Sequence, residues 1–153
     1  LGLTEGLVKS KFLLAFARTN QGRKLAALAE AHRRMGQKEA ARRRALEAVA
    51  VMEALHKEQP RERQSRQDLF YAYWVQGRVL LAIGELDAAL GVNEKAVALA
   101  EESAERIRSA YSDRDQARAY EQRAEVLTAL GKGEAVDWKK KAQAIWKGWT
   151  KKY

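Results

Sequence analysis

The stretch LLAIGELDAAL, residues 80–90, places one glycine between two segments that are otherwise rich in helix-forming residues. Alanine and leucine favour helix because they lose little rotamer freedom there. Glycine enters the left-handed backbone conformation at small steric cost, so we expect Gly84 to end one helix and let the chain turn back within two residues. The stretch therefore predicts two antiparallel helices joined by a short turn.

The same pattern occurs at two further glycines. Gly36 lies 48 residues before Gly84, Gly131 lies 47 residues after it, and each follows an apolar residue at the end of a helical pattern. Tyr73 and Tyr120 match at the same spacing. A helical hairpin with one apolar face cannot bury that face alone, so equivalent hairpins are expected to stack. The sequence predicts three such hairpins.

We predict a single all-α domain over residues 1–153, built as a right-handed stack of antiparallel helical hairpins. Its parts are an N-terminal packing helix at 3–18, unit one at 20–58, unit two at 65–109 and unit three at 112–150. We favour a separate N-terminal helix that covers the open end of the stack, because Phe12 and Phe16 would otherwise expose a large apolar surface. The alternative is that these residues are the remnant of an earlier unit. In units two and three, Ser65 and Ser112 begin S-x-x-D patterns that predict serine N-caps.

Composition supports helix and limits the chemistry. The 153 residues contain one proline and no cysteine, which excludes disulfides, zinc–thiolate sites and thiol nucleophiles. The two histidines, His32 and His56, fall on different predicted helices, and no phosphate-binding glycine loop or hydrolase motif is present. We expect no enzyme activity, no catalytic residues, no metal site and no cofactor. No apolar run is long enough to span a bilayer, and a cytoplasmic location is favoured.

The net charge of +9 is unevenly distributed. Residues 1–64 carry a net +7, residues 65–131 a net −3 and residues 132–153 a net +5. Basic ends of this kind could contact nucleic acid or another acidic surface. Arginines and lysines on the solvated faces of helices explain most of the excess without any ligand, and we favour that interpretation.

The C-terminal helix combines aromatic residues with lysines. Trp138, Ala142, Ile145 and Trp149 follow helical spacing on one face, with Trp146 beside them. This spacing favours a helix that packs on its neighbour, with the lysines keeping the outer surface soluble. Contact with a partner, self-association or an acidic surface remain the alternatives.

The repeat resembles the tetratricopeptide repeat family, whose units follow W-x2-L-G-x2-Y and then A-x3-F. The matching positions in unit two are Tyr73, Gly77, Leu80, Ala89 and Ala96. The resemblance covers about residues 20–150. Asn93 and Lys139 depart from it, since the family prefers an aromatic residue there, and the period of 47–48 residues exceeds the family's 34. The elongated units also resemble repeat regions of bacterial multidomain regulators, including those that follow serine/threonine kinase domains.

The resemblance implies a concave groove, lined by the first helix of each unit, that binds a peptide or helix of another protein. The residues carried over are Arg23, Ala26, Glu30 and Arg33 in unit one, Tyr71, Trp74, Arg78 and Leu81 in unit two, and Arg118, Glu121, Glu125 and Thr128 in unit three. Trp74 and Arg78 form the centre, and these residue types give binding hot spots when enclosed. Trp74 could instead fill the core between units one and three.

The family's clamp for C-terminal carboxylates is largely missing. Its positions in the first two units hold Ala26, Glu30 and Val75 in place of lysine and asparagine, and only Arg118 matches. A chaperone-tail function is therefore disfavoured. We expect a non-catalytic scaffold that binds a protein partner, as part of a larger regulatory protein. The alternatives are a basic helical nucleic-acid-binding module and self-association into a homo-oligomer.

Overall fold

Six α-helices and no strand make up residues 2–153, the part of the chain that the computed structural model describes, with side chains from Thr4 onward. The helices are α1 (Gly2–Arg34), α2 (Lys38–Glu58), α3 (Arg63–Ile83), α4 (Leu86–Arg106), α5 (Ala110–Ala129) and α6 (Ala135–Lys152). The all-α prediction is confirmed.

The three glycines each end the first helix of a pair. Gly36, Gly84 and Gly131 have φ angles of 72°, 83° and 72°, in the left-handed region. At each turn the residue after the glycine donates its backbone N–H to the carbonyl five residues earlier, with N···O distances of 2.9, 3.0 and 2.9 Å. This is the bond that closes a Schellman motif and satisfies a free carbonyl at the helix end. The predicted breaks at these glycines are confirmed.

Successive helices lie antiparallel and pack against each other. In the first pair, the Arg18 guanidinium lies 2.9 Å from the Glu58 carboxylate, while the turn lies at Gly36. In the third pair, Trp149 near the end of α6 donates to the carbonyl of Ala110 at the start of α5. Helix α3 contacts α1, α2, α4 and α5, so it is the central helix. Pro60 falls in the connection between the first two pairs.

One hydrogen bond recurs between consecutive pairs. Tyr73 on α3 donates its hydroxyl to the Glu53 carboxylate on α2, and Tyr120 on α5 donates to Glu101 on α4, both at 2.7 Å. Burial and the nearby carboxylate raise the pKa of both tyrosines, to about 12 for Tyr120. Each bond joins the second helix of one pair to the first helix of the next. The structural repeat therefore includes the contact between pairs as well as the hairpin.

The predicted N-terminal packing helix is wrong in two respects. Residues 3–18 do not form a separate element, since α1 runs without a break from Gly2 to Arg34. Phe12 and Phe16 are 70% and 58% exposed. Helix α2 ends beside Arg18, so the part of α1 before this residue extends past the end of α2 and is mostly exposed, although Phe12 and Phe16 line a cleft with residues of α2 and α3.

The predicted serine N-caps are displaced. Helix α5 begins after Ser109, which forms a reciprocal capping box with Ser112 in the third helical position. Ser65 also occupies the third position of its helix, and its hydroxyl donates to the carbonyls of Gln59 and Glu62. The S-x-x-D patterns therefore mark the first turn inside each helix. Helices α3 and α5 each begin two residues earlier than units two and three were expected to begin.

Candidate functional site

Helices α1 and α3 meet through charged residues of the predicted groove. The Glu30 carboxylate of α1 lies 2.8 Å from the Arg33 guanidinium and 3.2 Å from that of Arg78 on α3. The hydrogen bond from Arg33 holds the pKa of Glu30 below its usual value, and the charge of Arg78 acts in the same direction. Glu30 thus joins the first pair of helices to the second.

Trp74 lies at the centre of this surface. Its ring has the guanidinium carbons of Arg78 and Arg118 at 4.7 and 5.3 Å from its centroid, and the Tyr71 ring at 5.9 Å. Arginines at these distances are attracted by the ring electrons. Trp74 is half-buried and packs against two clusters of buried residues. It belongs both to the core and to the groove, so the two interpretations are compatible.

A buried polar network holds α3 against α5. Gln122, 2% exposed, donates from Nε2 to the backbone carbonyl of Trp74 at 2.7 Å. The Asn93 amide on α4 donates to Gln122 Oε1 and to the carbonyl of Ala119, both at 3.0 Å. A Cβ at Gly77 would lie only 2.6 Å from Gln122 Oε1. The absent side chain at Gly77 therefore creates the space for this network.

A cleft of about 710 Å³ opens between the N-terminal halves of α3 and α5. Its walls are lined by Arg63, Tyr71, Tyr111, Arg114 and Arg118, together with Glu62, Gln64, Gln67, Asp68, Phe70 and Asp115. The guanidinium carbons of Arg63 and Arg114 lie 5.8 and 5.3 Å from the centroid of the Tyr111 ring. We call this space the arginine cleft.

The opposite end of the surface is acidic. Glu121 and Glu125 on α5, together with Lys139 on α6, line an open cavity of about 570 Å³ between α5 and α6. Burial raises the pKa of Glu125, which the charge of Arg78 partly opposes. Trp146 of α6 donates its indole N–H to Glu121 at 2.6 Å. We call this space the acidic cavity.

The arginine cleft and the acidic cavity are joined by a smaller cavity of about 230 Å³ around Trp74 and Arg78. The small cavity shares Arg118 with the arginine cleft and shares Glu121 and Glu125 with the acidic cavity. The three cavities therefore lie in a row along α5, basic and aromatic at the end bordered by α3 and lined by two glutamates at the end bordered by α6. We call this row of cavities the inner groove.

Most of the predicted site residues lie along the inner groove. Tyr71, Trp74, Arg78, Arg118, Glu121 and Glu125 line it, and Glu30 reaches it through Arg78. Arg33 contacts only Glu30 of this set. Arg23 lies apart, in a second cleft of about 300 Å³ beside α2, and is connected to the groove by its 3.0 Å ion pair with Asp68.

Sequence reasoning did not identify Arg63, Tyr111, Arg114 and Gln122. The first three lie in the first two turns of their helices, where the family pattern has no signature position. For Tyr111 and Arg114 the sequence does contain a signal, because their spacing with Arg118 on α5 places the three residues on one helical face. Gln122 stands between Glu121 and Arg123, so it resembles a surface residue.

The C-terminal helix packs as predicted. The centroids of the Trp138 and Tyr120 rings lie 5.2 Å apart, and Ala142 is buried in the main core.

Among residues 2–153, no helix is long and apolar enough to cross a membrane. The described side chains also contain no cluster of three or more histidines and carboxylates placed to hold a metal ion.

No model of a known protein family, no curated protein and no solved structure matches the chain. What it binds must therefore be inferred from the contacts of its own residues.

Proposed function

We propose that this chain is a non-catalytic scaffold that binds a segment of another protein along the inner groove. The observation that carries the proposal is the row of adjoining cavities along α5, with half-buried Trp74 and the two guanidinium groups over its ring at the centre. Aromatic residues and arginines in partly enclosed positions supply most of the energy in protein interfaces. A helix or an extended peptide can follow a groove of this kind.

The scaffold is proposed to be a solenoid of tetratricopeptide type with elongated units. Three features support it: the three equivalent glycine turns, the recurring tyrosine–glutamate bond, and the contacts of α3 with both α1 and α5. Contacts between the first helices of successive pairs are what a stack of hairpins requires. The groove would then be the concave face of that stack, within a larger regulatory protein.

Selection of peptides tests the proposal. Random peptides of about 12 residues, long enough to extend ~18 Å as a helix, would be displayed and selected on the wild-type protein. The affinity of the enriched peptides would then be measured by fluorescence anisotropy. Tyr71→Ala should weaken binding about tenfold or more. The matched control is Tyr153→Ala, because Tyr153 is an exposed tyrosine that lines none of the described cavities. Equal affinity in both variants would contradict a role for the groove.

The nucleic-acid alternative stays a prediction based on the net charge of +9. The groove disfavours a polyanion along its whole length, because Glu121 and Glu125 line its far end. A salt titration with single-stranded DNA separates the two functions. Affinity that persists near physiological salt and falls with a slope of several charges would favour nucleic acid, whereas loss of affinity in that range supports the scaffold.

A further inference from the structure

The arginine cleft contains two cations that no carboxylate neutralises directly. Among the described residues, neither Arg63 nor Arg118 takes part in an ion pair within 4.0 Å. The third arginine of the cleft, Arg114, is paired with Asp115 at 3.2 Å. The other buried carboxylate, that of Asp68, is paired with Arg23 of α1. The acids that line the cleft are thus largely neutralised by other arginines.

Both free guanidinium groups lie over aromatic rings, at 5.8 and 5.3 Å from the ring centroids. Arg63 lies over the Tyr111 ring, and Arg118 lies over the Trp74 ring. Contact with a ring occupies the face of a guanidinium and leaves the N–H groups at its edge available. Those edges match the two oxygens of a carboxylate. Because the rings already restrict the arginines, less entropy is lost when an acidic group binds.

Two nearby carboxylates oppose an anion in the cleft, but weakly. Glu62 stands at the rim, where its side chain is exposed and water and salt screen its charge. Asp115 is 6% exposed and close enough to Arg118 for the two charges to interact, but its hydrogen bonds come from Arg114. Donors on Arg118 therefore remain available to a ligand.

We propose that the arginine cleft receives an acidic side chain, aspartate or glutamate, from the protein segment bound in the inner groove. The proposal rests on the proposed function and adds the position of the acid. Glu121 and Glu125 line the acidic cavity at the far end of the groove and outnumber the lysine that also lines it, Lys139, so this end disfavours a second negative charge. The bound segment is thus acidic at the arginine cleft and neutral or basic beyond Trp74. The group recognised belongs to a side chain within the segment, so a free C-terminus is not required.

The experiment uses displayed peptides whose C-terminus is fused to the display protein, so that no terminal carboxylate is offered. Selections would be run on three proteins: the wild type, the double variant Arg63→Gln/Arg118→Gln, and the control Arg43→Gln. Arg43 is an exposed arginine of α2 that also has no ion pair within 4.0 Å. Aspartate and glutamate should be enriched on the wild type and the control and should return to the frequency of the starting library on the double variant.

A second measurement begins with a comparison on the wild-type protein alone, which does not depend on how the variants fold. An enriched peptide, acetylated and amidated at its ends, would be compared on the wild-type protein with the same peptide carrying asparagine or glutamine at its acidic positions. The amide peptide should bind about tenfold or more weakly, since a charged hydrogen bond is lost. On the double variant the two peptides should bind nearly equally.

The outcomes separate the two proposals. Enriched peptides without acidic bias, or an acidic bias that persists in the double variant, would overturn this inference and leave the proposed function intact. If single-stranded DNA binds the wild type, not the double variant, and acidic peptides do not displace it, the cleft is a nucleic-acid site and the inference is wrong. If the wild-type protein enriches no peptide, both proposals fail.

Discussion

Substitution of alanine at Gly77 tests the contact between α3 and α5 on which the groove depends. Alanine in a helix interior ordinarily stabilises the helix by about 1 kcal/mol relative to glycine. At Gly77, however, the added methyl group would lie 2.6–2.8 Å from three atoms of the Gln122 amide. Gln122 is buried and makes hydrogen bonds with the Trp74 carbonyl and with Asn93. The methyl group can therefore be accommodated only by displacing that amide.

The magnitude follows from what the displacement breaks. Two hydrogen bonds are lost, and each buried group left unsatisfied costs about 1–3 kcal/mol. After subtracting the gain in helix propensity, Gly77→Ala should lower the free energy of unfolding by about 1–5 kcal/mol. The matched control is Gly91→Ala, an exposed position of α4 where nothing lies within 4 Å of the added Cβ. That variant should be more stable than the wild type by up to ~1 kcal/mol.

Urea unfolding followed by far-UV circular dichroism gives both values. A double-mutant cycle then isolates the cause. In a Gln122→Ala background the obstacle is absent, so Gly77→Ala should be neutral or stabilising. If Gly77→Ala costs the same in both backgrounds, or if it stabilises the wild type as Gly91→Ala does, then α3 and α5 are not held together as described.

Three further predictions concern stability. The pKa of Tyr120 is 10.0 in an exposed tyrosine and about 12 in the folded protein. The unfolded chain therefore releases this proton first, and the free energy of unfolding should fall as the pH rises from 10 to 12. Urea unfolding measured across this pH range should show a smaller fall for Tyr120→Phe. Glu30→Gln should cost about 1–3 kcal/mol, and because the folded pKa of Glu30 lies below 4.5, the wild type should lose this advantage as the pH falls below 4.5 while the variant shows no such loss. Phe12→Ser should change the free energy of unfolding by no more than ~0.5 kcal/mol. The control Leu69→Ala, at a position that is 4% exposed, should lower it by about 2–5 kcal/mol. A large effect of Phe12→Ser would mean that this part of α1 is covered.

The ends of α1, α3 and α5 at the three glycines and the pairing of helices could be predicted because their causes are local. A glycine that ends a helix acts through its own backbone, so Gly84 and its two equivalents were visible without any tertiary information. Tyr73 and Tyr120 aligned correctly, although their carboxylate partners did not stand out from other exposed glutamates. The position of the serine caps was wrong by about one helical turn, since both Ser109 and Ser112 have the residue type that caps favour.

The remaining errors arise from contacts between distant parts of the chain. How far α1 extends beyond its neighbour depends on where α2 ends, which the residues of α1 do not encode. The arginine cleft depends on how α3 and α5 diverge towards their N-termini, so Arg63 and Tyr111 could not be assigned to one site from their spacing. Gln122 became recognisable only through the space that Gly77 leaves for it.

Photocrosslinking locates the bound protein segment, which we propose lies in the inner groove. A selected peptide carrying benzoylphenylalanine would be irradiated with the wild-type protein, and the modified residues would be located by mass spectrometry. The groove predicts crosslinks on the inner surfaces of α3 and α5, at residues 71–78 and 118–125. Crosslinks confined to the outer surfaces of α2 and α4, or to the exposed N-terminal part of α1, would contradict it.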